Sequence, residues 1–143
     1  MTCGLVYSEE CLEHHPGWFH PERPERLTAI RAGLEDGGLW GRCRQLPARE
    51  ATDEEILAVH TPEHLSKIRK VHEQGGGVLD IGDTVMSEGS MRAALMAAGG
   101  CVDAAAAVAR GELSTASALI RPPGHHAESG RAMGFCIFNN VAI

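Results

Sequence analysis

The stretch from Ser90 to Ile120 restricts the architecture of this chain more than any other part of it. Ser90 to Arg110 is dominated by Ala, Met, Gly and Val and reads as one long helix, apolar on nearly every side and therefore buried. Gly111 closes it. Ala116 to Ile120 follows as an almost continuous apolar run, the pattern of a central strand in a parallel sheet. Arg121-Pro122-Pro123-Gly124 stops that strand, because proline cannot donate to a ladder and holds the preceding residue extended. A buried helix feeding a buried strand points to an α/β protein.

The rest of the chain agrees with that reading. Leu5-Val6-Tyr7 predicts a first strand and Cys43 to Leu46 a second. Pro24 suits the first turn of a helix whose stripe is Leu27, Ile30 and Leu34, ended by Gly37-Gly38. Thr52 and Glu55 form a capping box that opens a brief helix through Val59. Thr61 caps another helix with Pro62 at its first position, and Gly75-Gly76-Gly77 ends it. A polar loop is expected around Asp83-Thr84, and a helix start at Ile137 to Ile143. With no polar stop after that start, residues 1–143 are expected to be the N-terminal part of a single larger domain, its mostly parallel sheet flanked by helices.

Composition excludes several classes. With 43% apolar and 22% charged residues the chain can bury a core, but aromatics are only 4%, so Ala, Leu, Val and Ile must build it. A net charge of −6 with no Lys/Arg run argues against a direct grip on nucleic acid and favours cationic partners. The five cysteines are odd in number and lack a CxxC pair, so neither a disulfide framework nor a zinc ribbon is expected. Arg92, Asp103 and two glycines make the long helix too polar for a membrane span, so no membrane partner is expected. No secretory signal opens the sequence, which leaves a reducing cytoplasm as the expected location.

The chemistry concentrates in Arg121 to Ala127 and in Met133 to Asn140. Loops at the carboxyl ends of parallel strands form binding crevices. His125 and His126 would face opposite sides of a regular strand, so they can share a site only if the backbone turns, which Pro-Pro-Gly permits. Paired imidazoles suit proton transfer near neutral pH, but on spacing alone a solvated surface loop is an equal reading. Cys11, His14, His15 and His20 match no zinc-ligand template. The helix start at Thr61-Pro62 is expected to split His60 from His64.

Arg121-Pro122-Pro123-Gly124-His125-His126-Ala127 and Gly134-Phe135-Cys136-Ile137-Phe138-Asn139-Asn140 resemble motifs of the histone deacetylase family, especially its class II and bacterial members. His20-Pro21-Glu22-Arg23-Pro24-Glu25-Arg26-Leu27 resembles an earlier motif of that family, and Val59 to His64 and Asp83-Thr84 fall between in the same order. The resemblance implies an arginase-like fold and zinc-dependent hydrolysis of acetyl-lysine or a similar acetylated amine. It makes His125 and His126 the acid–base pair. It places Phe135 on a substrate tunnel, the Gly134 carbonyl against the amide, Asp83 on the substrate backbone and Arg26 beside an internal channel. In that family the zinc ligands, two Asp and a His, come later in the chain. Zinc is therefore expected for the complete domain, with no ligand in this chain, which alone is expected to be inactive. An acetylpolyamine hydrolase and a metal-free binding module of the same fold remain alternatives, and a homo-oligomer is compatible with either.

Overall fold

The computed structural model describes residues 2–143. Its centre is β1 (Cys3–Tyr7), with Leu5 and Val6 fully buried. On one side β1 pairs in parallel with β2 (Arg44–Leu46), Val6 opposite Leu46. On the other it pairs with β5 (Thr115–Leu119), Cys3 opposite Thr115 and Tyr7 opposite Leu119. The order β2-β1-β5 is wholly parallel, as the alternation of strands and helices requires. The apolar run expected in mid-sheet thus lies at an edge among the described residues, and its side chains are only half-buried. A short apolar run reports burial of one or two faces without fixing the strand's place in the order.

The helices fall close to their expected bounds: α1 (Pro24–Asp36), α2 (Asp53–Leu57), α3 (Pro62–Glu73) and α4 (Ser90–Ala109). Thr52 and Glu55 make the reciprocal capping box, and Thr61 Oγ1 accepts from His64 N–H. In α1 only Leu27 of the expected stripe is buried; Ile30 stays half-exposed. By length and hydropathy α4 could cross a bilayer, so its charges do not exclude it on composition. Its small residues pack here instead. Gly100 lies over Val6, and Gly99 meets the backbone of Arg49 and Ala51, where a side chain has no room.

The polar loop expected around Asp83-Thr84 is present and connects an antiparallel hairpin of β3 (Gly77–Val78) and β4 (Val85–Met86). One local expectation fails. The helix expected from Ile137 does not start there. Ile137 and Phe138 are fully buried in the core with Ile56, Ile68 and Met86, and burial wins over helix geometry. Asn139 then caps one turn, its Oδ1 accepting from Ala142 N–H at 3.0 Å and its carbonyl from Ile143 N–H at 3.1 Å.

Candidate active site

Beyond β5 the chain dives inward. Arg121 is 4% exposed, yet each of its three guanidinium nitrogens has a hydrogen-bond partner. Nε and Nη2 donate to the two Glu22 carboxylate oxygens at 2.5 and 2.8 Å. Nη1 donates to the Cys11 carbonyl at 2.8 Å and Nη2 to the His14 carbonyl at 2.9 Å. The same carboxylate accepts from His14 Nε2 at 3.3 Å, while His14 Nδ1 faces Ser90 Oγ at 2.6 Å. Burial is the largest influence on His14 and lowers its pKa, outweighing the pull of Glu22. His14 is therefore a neutral ring, donating to Glu22 and accepting from Ser90. Burial pushes the Glu22 carboxyl up, but the bonds from His14 and Arg121 more than offset it and leave its pKa lowered. A buried charge pair persists only with this degree of satisfaction.

With Arg121 fixed, the prolines carry the chain into a β-turn in which Ala127 N–H donates to Gly124 O at 3.2 Å. His125 and His126 occupy its two central positions. The turn breaks strand alternation and sets their rings side by side, centroids 4.1 Å apart and planes at 46°. Both rings are exposed. Gly124 must lack a side chain because Asn140 backbone and side chain fill that space, and Asn140 Nδ2 holds Pro122 O at 3.2 Å.

The second motif folds over the first. Met133 and Cys136 exchange both backbone hydrogen bonds, at 3.1 and 3.0 Å, around Gly134 and Phe135. Gly134 has φ +56° and Phe135 φ +70°, the double left-handed signature of a type I′ turn. Phenylalanine is unusual there, and such a backbone costs about 1–3 kcal/mol and persists only where its surroundings impose it. Those surroundings are visible. Phe135 N–H donates to Thr84 Oγ1 at 3.1 Å, and its ring stands edge-on to His20 with centroids 4.5 Å apart. Cys136 is fully buried, its thiol pKa pushed up by burial, and Sγ–H donates to the Gly134 carbonyl at 3.3 Å. It packs as a small apolar residue, not a nucleophile.

Five of the six residues singled out in the sequence converge directly. Arg26, His125 and Phe135 line one pocket of about 350 Å³ together with Glu22 and Arg121. Gly134 abuts the His126 ring. Asp83 joins indirectly: its carbonyl lies 3.0 Å from His20 Nε2, and its own side chain is exposed. The turn of that loop is held by Asp80, which accepts from Gly82 N–H, Thr84 N–H and Thr84 Oγ1. The Glu22–His14–Arg121 cluster had no assigned role in the sequence. The sequence marks Arg121 only as a charge between an apolar run and two prolines, and nothing local names Glu22 and His14 as its partners. His60 and His64 also depart from expectation. The helix start does not separate them; their rings stack 4.7 Å apart at 26°.

The histone deacetylase domain profile matches residues 20–143. Histone deacetylase 15 of Arabidopsis thaliana is 43% identical over 97% of this chain and 25% of its own length. A probable deacetylase of Archaeoglobus fulgidus is 41% identical over the whole chain and 40% of its own length. The polyamine deacetylase HDAC10 of Homo sapiens is 40% identical over the whole chain and 23% of its own length. The crystal structure of the HDA15 HD domain superposes with a TM-score of 0.94 at 40% identity, covering 99% of this chain and 41% of that one. The fold is that of a histone deacetylase domain, and the chain belongs to the histone deacetylase family. It spans between about a quarter and two-fifths of these relatives' lengths. Among the described residues no three His, Cys, Asp or Glu side chains gather closely enough to hold a metal ion, so the zinc associated with the family does not fit these residues alone.

Proposed function

We propose that this chain provides the acid–base and substrate-guiding wall of a deacetylase that removes acetyl groups from acetyl-lysine or a similar acetylated amine. One observation carries it: a single β-turn sets His125 and His126 side by side, with His125 and the strained Phe135 lining one pocket. One imidazole takes the proton of the attacking water, and the other delivers a proton to the departing amine nitrogen. Phe135 gives the acyl chain an apolar wall. The Gly134 carbonyl meets the substrate amide, and Asp83 accepts hydrogen bonds from the substrate backbone. The zinc of such a site would take its ligands from residues beyond Ile143, and residues 1–143 by themselves do not turn over. The acidic chain, at net charge −6, suits cationic amines, and the polyamine deacetylases among the relatives bring acetylpolyamines into the same substrate class.

The test is hydrolysis of an acetyl-lysine peptide and of an N-acetylpolyamine by the zinc-loaded protein, and by residues 1–143 alone with added zinc. Release of acetate by the protein and none by residues 1–143 is expected. No release from either substrate would favour a binding module instead.

A further inference from the structure

One buried side chain pins both ends of the loop that overlies the histidine turn. His60, 2% exposed, has Nδ1 at 3.2 Å from the Ser129 carbonyl, and its Nε2 accepts from Asn139 N–H at 2.8 Å. These two contacts allow one tautomer only, with the proton on Nδ1. Thr61 N–H adds a second bond to the Ser129 carbonyl at 2.9 Å. One helical turn on, His64 stacks on His60 and donates from Nε2 to the Ile137 carbonyl at 2.9 Å. Its buried Nδ1 has no partner among the described residues. Phe138 packs against both rings.

The loop so pinned carries Gly134 and Phe135. Its last residue, Asn139, reaches from Nδ2 to the Ala127 carbonyl at 2.8 Å and so holds the end of the turn bearing His125 and His126. We propose that His60 is a positioning residue, a latch that fixes the histidine turn through Ser129 and Asn139 and closes only as the neutral Nδ1–H imidazole. The latch itself rests on geometry; its bearing on catalysis rests on the function proposed above.

Protonation would open it. A proton on Nε2 faces the Asn139 N–H at 2.8 Å, so an acceptor becomes a donor pointed at a donor. The other titratable or charged groups around the ring do not favour that proton. His64 is stacked on it and Lys67 lies on the same face of α3, while Glu128 on the loop side is exposed and paired with Arg131. Burial opposes the charge as well.

The experiment uses the intact protein labelled with 15N-histidine and, separately, uniform 15N. Two-bond ring spectra near pH 7.5 are expected to show His60 protonated at Nδ1, and Asn139 to be protected from amide exchange. Its protection factor should fall at least tenfold as His60 titrates, while α4 amides stay protected. In His60→Asn, which keeps a donor and an acceptor but cannot titrate, that pH dependence should vanish; in His60→Ala protection should be low at every pH. A proton on Nε2 in the unmodified protein, or Asn139 protection unchanged across the titration, would overturn the latch. Deacetylation is assayed on the same samples: the expected order is unmodified above His60→Asn above His60→Ala, with the loss mainly in kcat. Equal kcat in all three would overturn the positioning role. An inactive parent with the tautomer and exchange as expected would overturn the proposed function and leave the latch standing.

Discussion

Gly134 faces the ring of His126 so closely that a methyl group on its Cα would stand 2.8 Å from Cγ. The second motif thereby sets how far the His126 ring can swing, and its φ of +56° independently calls for glycine. Gly134→Ala should destabilise the protein by about 1–3 kcal/mol, from the left-handed backbone and the overlap together. Activity should fall further than stability, because the ring must move. Urea midpoints and kcat measured on one preparation would show it; a kcat unchanged from the parent would mean the ring is not held there.

In α4 two effects of opposite sign meet at Gly99. Alanine there gains roughly 1 kcal/mol of helix propensity. Its Cβ would overlap the Arg49 carbonyl, the Glu50 carbonyl carbon and the Ala51 nitrogen, in a segment tied down by Ala51 N–H donating to Leu95 O at 2.9 Å. Overpacking against backbone costs about 1–3 kcal/mol, so net destabilisation is expected. A rise in the melting temperature of Gly99→Ala would show that the segment over residues 49–51 yields.

Removing Arg121 leaves the Glu22 carboxylate buried with only His14 beside it. Arg121→Met should cost about 3–5 kcal/mol by chemical denaturation, the usual cost of an uncompensated buried charge. Arg121→Lys should recover only part of that loss, since an ammonium cannot make both bonds to Glu22 and still reach the Cys11 and His14 carbonyls. Full recovery by lysine would show that charge alone matters.

Three buried histidines give stability a pH signature. His14, His60 and His64 are all held below the ordinary value of about 6.5, chiefly by burial. The unfolded chain therefore takes up these protons first on acidification. Their contribution is complete above about pH 6.5 and is lost as pH falls through their folded values. Glu22, also lowered, contributes fully above its ordinary 4.5 and is lost on further acidification. The urea midpoint should begin to drop as pH falls below about 6.5 and should drop further below about pH 4.5. A flat midpoint down to pH 5 would contradict the burial of these rings as neutral groups.

The elements most legible in the sequence were those that local chemistry decides. The Thr52 and Thr61 caps, the Pro62 start and the glycine stops place α2 and α3 within a residue or two, because each satisfies its own backbone donors or forces its own φ. The β3–β4 pairing and the bend at Ile137 were not legible. They depend on partners that no local signal names, such as Met86 for Gly77 and the Ile56–Ile68 core for Ile137. Of the site, the His125–His126 turn could be anticipated because Pro-Pro-Gly announces a break in the strand. The Arg121–Glu22–His14 cluster could not, since it joins residues about a hundred positions apart. Nor could the His60 latch, whose two hydrogen bonds reach across 69 and 79 positions.

The most direct test lies with the paired histidines of the turn, His125 and His126. Each should be replaced by alanine in the zinc-loaded protein, and kcat and bound zinc measured on the same samples. Each variant is expected to lose roughly two to four orders of magnitude in kcat, the usual worth of a positioned proton-transfer group, while zinc content stays at the parent level. Zinc lost together with activity would make the pair metal ligands, and activity surviving both changes would make the turn an ordinary solvated loop.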